Sequence, residues 1–174
     1  YSTTYLAANH VYDPSTNTWS TKASDTARRY YPVAGVVASR IYVMGGNKSG
    51  PIATNHAYAT SLNAWSTKAS DTIKRYAFAT EVIASKIYAI DGYSFTAANH
   101  VYDPSTNTWT GKASDIIKRG GVAAGIGGSK IYVVDGSNGA SLSNNNAYDF
   151  STNTWNTKAN DTVKRYDLVA GEVT

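Results

Sequence analysis

Three histidines, His10, His56 and His100, and four aspartates, Asp25, Asp71, Asp115 and Asp161, are the residue types that could bind a metal or move protons. Their spacing argues against both roles. The histidines hold the same place in three successive units and Asn146 takes it in the fourth. Equivalent positions on separate units point apart, whereas zinc ligands must converge to about 2.0–2.1 Å from one ion. A hydrogen bond local to each unit accounts for the histidines, and capping or pairing with nearby Lys or Arg accounts for the aspartates. The chain has no cysteine, which removes disulfides, thiolate nucleophiles and zinc–thiolate sites together. Neither a Ser-His-Asp arrangement, nor a phosphate-cradling glycine loop, nor a helical nucleic-acid module stands out. Neither metal nor cofactor is expected, and a net charge of +4 is too small to argue for nucleic acid.

The stronger signal is the repeat that carries these residues. Trp19, Trp65, Trp109 and Trp155 are separated by 46, 44 and 46 residues; Tyr12, Tyr58, Tyr102 and Tyr148 precede them by seven, and Arg29, Arg75, Arg119 and Arg165 follow by ten. One module recurs four times. Runs such as Ile41–Met44, Ile87–Ile90 and Ile131–Val134 are short and β-rich, and each ends in Gly-Gly or Asp-Gly. A full unit divides into four strand candidates, in the first Tyr31–Ala38, Arg40–Met44, His56–Ala59 and Ala64–Thr67, with tight turns at Ser39, Ser85 and Ser129 and at PSTNT or its variants. No helical period appears. Four antiparallel strands in about 45 residues make one propeller blade. The large Tyr and Trp rings are expected to form the core within each blade.

The combination R-x11-IYVMGG followed by YDPSTNTW resembles the kelch repeat, with the doublet at Gly45-Gly46 and the Tyr/Trp pairs at Tyr12/Trp19 and Tyr102/Trp109. The doublet becomes Asp91-Gly92 and Asp135-Gly136 later on, and the second unit reads Tyr58-Ala-Thr, changes that keep the turn glycine and the aromatic anchor. The expected architecture is an all-β propeller of four-stranded antiparallel kelch-type blades, about four in residues 1–174. Its units fall near 1–28 (partial), 29–74, 75–118, 119–164 and 165–174 (partial). The ends supply the last two strands of one blade and the first strand of another, so the chain is expected to belong to a larger ring or assembly. Strand completion between chains is one expected way of forming it. Kelch rings also occur in copper radical oxidases and sialic acid isomerases, but no catalytic residue is assigned here.

The resemblance implies that Arg29, Arg75, Arg119 and Arg165 pack between blades and that the positions two residues later, Tyr31, Ala77, Gly121 and Asp167, stand at the pocket mouth. The segments KASDTARR, KASDTIKR, KASDIIKR and KANDTVKR hold 12 of the 16 Lys and Arg but 4 of the 12 acids, leaving +8 there against −4 elsewhere. Lys74 and Lys118 are the candidates to meet an anionic partner. The loops NKSGPIATNH, DGYSFTAANH and DGSNGASLSNNN vary while the rest repeats, which is where recognition can reside. Within them Tyr93 and Phe95 offer faces for a sugar or apolar side chain, and Asn144, Asn145 and Asn146 offer amide groups.

The candidate binding residues are therefore Tyr31, Lys74, Tyr93, Phe95, Lys118, Asn144, Asn145 and Asp167, serving a protein or glycan partner in a non-catalytic recognition or scaffold module. No apolar run approaches the ~20 residues of a membrane span. A composition rich in Tyr, Ser, Thr, Asn and Gly, with 16% charged residues, points to an extracellular or cell-surface setting. Asn47-Lys-Ser and Asn160-Asp-Thr fit the glycosylation acceptor pattern.

Overall fold

A computed structural model describes residues 5–171. Its described elements are fourteen five-residue strands. β1 (Asn9–Asp13) and β2 (Thr18–Lys22) form a hairpin. Three antiparallel four-stranded blades follow. The first is β3 (Val33–Val37), β4 (Arg40–Met44), β5 (Asn55–Ala59) and β6 (Ala64–Lys68). The second is β7 (Ala79–Ile83), β8 (Lys86–Ile90), β9 (Asn99–Asp103) and β10 (Thr108–Lys112). The third is β11 (Ala123–Gly127), β12 (Lys130–Val134), β13 (Asn145–Asp149) and β14 (Thr154–Lys158). Each blade pairs its strands in sequence order, and the first strands β3, β7 and β11 pack side by side.

The strand boundaries lie within two residues of those expected, except at the C-terminal end. There Arg165 makes an isolated bridge to Leu142, but no strand forms over 165–171; the remainder of the expected strand, 172–174, lies outside the described residues.

Local chemistry sets the turns. The β3–β4 and β7–β8 turns place Ala38, Ala84 and Ser85 at φ of 51°, 49° and 60°, the left-handed region that tight hairpins require. At the outer hairpins Asn17, Asn63, Asn107 and Asn153 take φ between 48° and 58°, and each Oδ1 accepts the hydroxyl of the blade's Tyr at 2.8 Å. Asn tolerates this backbone better than most residues, so its place in the PSTNT turn follows from geometry.

Side chains alternate between the two faces of a strand, and in an inner blade both faces meet a neighbour. That is why β5 is buried at every position and β8 at four of five. One core cluster joins Tyr42, Met44 and Ala57 of the first blade to Ile87, Ala89 and Tyr102 of the second; another joins Tyr88 and Ile90 to Ile131, Val133 and Tyr148. The Tyr–Trp pairs lie within blades, with centroids 5.1–5.3 Å apart, but tyrosines also meet across blades: Tyr42 to Tyr102 at 5.6 Å and Tyr88 to Tyr148 at 6.1 Å. Burial pushes the phenols of Tyr102 and Tyr148 up to about 12.

Candidate binding face

The segments between blades and the loops between second and third strands lie on one face, because they hydrogen-bond to each other. Gly46 N donates to Arg75 O at 3.0 Å, Asp71 N to Ala53 O at 3.1 Å and Arg75 N to Ile52 O at 3.3 Å. The pattern recurs one unit on, with Gly92 N to Arg119 O at 2.8 Å and Asp115 N to Ala97 O at 2.8 Å.

The repeated charges lock this face together. Arg75 is 1% exposed; it donates to Asp71 at 2.6 Å and to the carbonyls of Asp91 and Ala98 at 3.1 and 3.0 Å. Asp71 also faces His100 Nδ1 at 2.6 Å, as Asp25 faces His56 at 2.5 Å, and Asn146 donates to Asp115 at 2.6 Å. The histidine bond is therefore not local to a blade. Its aspartate comes from the segment that enters the blade, so the bond ties that segment to the third strand. Burial alone would raise the Asp25 and Asp71 carboxyls, but the bonds from histidine and arginine outweigh it and hold both below the ordinary value.

Two residues after each arginine, Tyr31, Ala77, Gly121 and Asp167 share φ of 48–63° and form a chain of backbone bonds around the inner edge. Ala77 N donates to Tyr31 O at 3.2 Å, Gly121 N to Ala77 O at 2.8 Å and Asp167 N to Gly121 O at 2.9 Å. All four line one cavity of about 330 Å³, together with Phe78 and Val122. Tyr31 and Asp167, the two candidates among these four, thus both line this cavity.

An aromatic arc runs beside that cavity. Tyr5, Tyr30, Tyr31, Tyr76, Tyr93 and Phe95 each lie within 5.2–6.2 Å, centroid to centroid, of the next ring. Tyr31 is 53% exposed and Phe95 42%. Tyr93 can take its place because Gly120 stands where Tyr30 and Tyr76 stand in earlier units; a Cβ on Gly120 would lie 2.7 Å from the Tyr93 ring. Of these rings the sequence named Tyr31, Tyr93 and Phe95 as candidates, and not Tyr30 or Tyr76. Their signal was a tyrosine directly after the repeated arginine.

The other candidates are not gathered into this arc. Lys74 and Lys118 are exposed, each beside a buried arginine, and neither makes an ion pair among the described residues. Because Arg29, Arg75 and Arg119 are buried against aspartates, the basic rim rests on the exposed Arg28, Lys74, Lys118 and Lys164. Asn145 opens β13 at the place of the fully buried Asn55 and Asn99, and its Oδ1 is sealed from solvent. It is half-buried and forms part of the blade. Asn144 uses its carbonyl to accept from Arg119 at 3.0 Å, and Asn146 is buried. Asn47 is also buried, its Oδ1 accepting from Gly50 N at 2.8 Å. Among the described residues, no group of three His, Cys, Asp or Glu is placed to hold a metal.

Blades of this order, locked by a repeated Arg and anchored by a Tyr–Trp pair, define a kelch-type β-propeller. The kelch motif model matches residues 118–161, and the same markers recur in phase in the preceding units. A solved structure titled "Structure of YjhT" is similar over 91% of this chain, with a TM-score of 0.75 and 16% identity, a likeness of fold. The match spans 66% of that structure's chain. No curated protein sequence matches.

Proposed function

We propose that this chain is a non-catalytic recognition module that takes a protein or glycan partner on its loop face. The observation that carries the reading is the aromatic arc from Tyr30 to Phe95 beside the inner cavity, because exposed, mutually braced rings give flat contact area at small entropic cost. The buried Asp, His and Arg of the repeat are engaged in joining segments to blades, which supports binding over catalysis. Exposed Lys74 and Lys118 on the same face favour a partner with some negative charge. The extracellular or cell-surface setting belongs to the same proposal.

The test is an NMR titration of the ¹⁵N-labelled chain with cellohexaose, chitohexaose and an acidic peptide library. Shifts concentrated at Tyr30, Tyr31, Tyr76, Tyr93 and Phe95, lost in Tyr31→Ala and Phe95→Ala, are expected. Shifts confined to the opposite face, at the Ser39, Ser85 and Ser129 turns, would overturn it.

A further inference from the structure

The second strand of each blade opens on a cation, and in two blades the next strand answers it with an acid. Lys86 Nζ donates to Asp103 Oδ2 at 2.5 Å, and Lys130 Nζ to Asp149 Oδ2 at 2.8 Å. Asp149 is the residue paired with Lys130 across the sheet. In the first blade the cation is Arg40 and the residue paired with it is Ala59. Among the described residues the Arg40 side chain makes neither a hydrogen bond nor an ion pair, and it is exposed. The first blade thus departs from the other two twice at one spot: it holds Ala for Asp and Arg for Lys. A lysine is a compact point charge, whereas a guanidinium is a planar fork that fits an oxyanion through two parallel bonds.

Arg40 borders a cleft of about 480 Å³ between the first and second blades, a size that suits a small molecule. The cleft lies at the Ser39 and Ser85 turns, on the face opposite the aromatic arc. Val37 and Tyr42 form its first-blade wall, and both belong to the core cluster shared by the two blades. Pro104 and Ser85 stand on the other side, and the Ser85 hydroxyl makes no hydrogen bond among the described residues. The charged residues of the lining are Arg40, Lys86 and Asp103, which sum to a single positive charge. Both oxygens of Asp103 are engaged, Oδ2 by Lys86 and Oδ1 by the amide and hydroxyl of Ser105. Arg40 is therefore the cation left over.

We infer that this cleft binds a monocarboxylate with an apolar body. The carboxylate takes the Arg40 guanidinium, and the body lies against Val37, Tyr42 and Pro104. One uncompensated positive charge matches a monoanion better than the dianion of phosphate. A wall of carbon atoms suits a hydrocarbon body better than the hydroxyls of a sugar acid, which would lose water without gaining partners. The site is separate from the aromatic arc and does not depend on it.

The experiment is an NMR titration of the ¹⁵N-labelled chain at neutral pH with benzoate, its neutral isostere benzamide, glucuronate and inorganic phosphate. Benzoate should give saturable shifts at Ala38, Arg40 and Ser85 with a dissociation constant of roughly 1 mM, fitting so small a ligand. Benzamide should bind about tenfold more weakly or worse, the worth of one hydrogen bond to a charged group, and Arg40→Gln should weaken benzoate by the same factor. Ala59→Asp supplies the acid that the other two blades carry; it should pair with Arg40 and weaken benzoate as well, and it serves if Arg40→Gln fails to fold. The inference is overturned if benzoate gives no saturable shift at these residues, if benzamide matches it, if glucuronate or phosphate binds more tightly, or if neither substitution weakens it. Benzoate shifts confined to Tyr31, Tyr76 and Phe95 would overturn it too, and would leave the loop-face reading standing.

Discussion

Asp91 and Asp135 replace Gly45 of the first blade, and the exchange reorganises the arginine beneath them. Arg119 Nε donates to Asp91 at 3.1 Å and Arg165 Nε to Asp135 at 3.0 Å, while Arg75 Nε is buried with no partner. Phe78 fills the space instead, with the Arg75 guanidinium 4.9 Å from its ring centroid. A Cβ on Gly45 would lie 2.5 Å from that ring, whereas the later blades hold Val122 and Leu168 there. The same Cβ would lie 2.5 Å from the Arg75 carbonyl, so Gly45→Asp alone should destabilise the fold and Phe78→Val should recover the part of the loss due to the ring, with a coupling of roughly 1–3 kcal/mol in a double-mutant cycle of urea midpoints. Additive effects would refute the pairing. Asp91 has a second consequence. Burial and the neighbouring Asp115 push its carboxyl well above the ordinary value, and Arg119 only partly compensates. A raised acid favours the folded state at low pH, and that advantage is lost as pH rises through the folded value. The stability of Asp91→Asn relative to the parent should thus fall as the solution is acidified from neutral pH into the ordinary carboxylate range. A constant gap across pH would rule out the charge as its cause. Asp71 has the opposite sign: its depressed carboxyl adds stability above its unfolded value, lost as pH falls through the folded one.

At the scale of elements, the outer hairpin clamps one blade to the next. Its Asn accepts from a Tyr hydroxyl within the blade and from an Ala amide of the preceding segment, so one turn residue closes the hairpin and the junction together. Trp109 adds its indole N–H to Ala69 O at 2.8 Å and packs against the core shared by two blades. Trp109→Phe should cost about 1 kcal/mol for the lost bond and Trp109→Ala about 3–5 kcal/mol for bond, burial and cavity, both read from denaturant unfolding. Equal losses for the two substitutions would mean that the bond carries the junction and the ring does not.

Over the whole molecule, neighbouring blades form the core between them, and a blade by itself has both faces bare. Stability is then shared between nearest neighbours, as in other repeat architectures. The same arrangement separates two surfaces by role. The loop face carries the aromatic arc and the basic rim, while the flanks of the array carry the junction chemistry. Substitutions at Tyr31 or Phe95 should alter ligand contact without lowering the urea midpoint, and those at the junction residues Trp65 or Trp109 should do the reverse.

The in-phase Tyr, Trp and Arg markers determined the blade, its strand order and the face on which the variable loops open, because each marker serves a contact repeated within or between units. Their spacing also argues against a shared metal site, since equivalent positions on successive blades diverge. What only the tertiary structure decided was which residues meet across units. His56 and Asp25 are 31 positions apart, and nothing in either residue's neighbourhood names the other. Asn145 looked like part of a variable loop because its sequence neighbours vary, yet strand pairing with Lys158 draws it into the blade. The aromatic arc draws on segments from different units, Tyr30 and Tyr31, Tyr76, and Tyr93 with Phe95, and it exists because the bridge between Tyr76 and Tyr93 and the backbone bond from Ala77 N to Tyr31 O bring these segments to one edge.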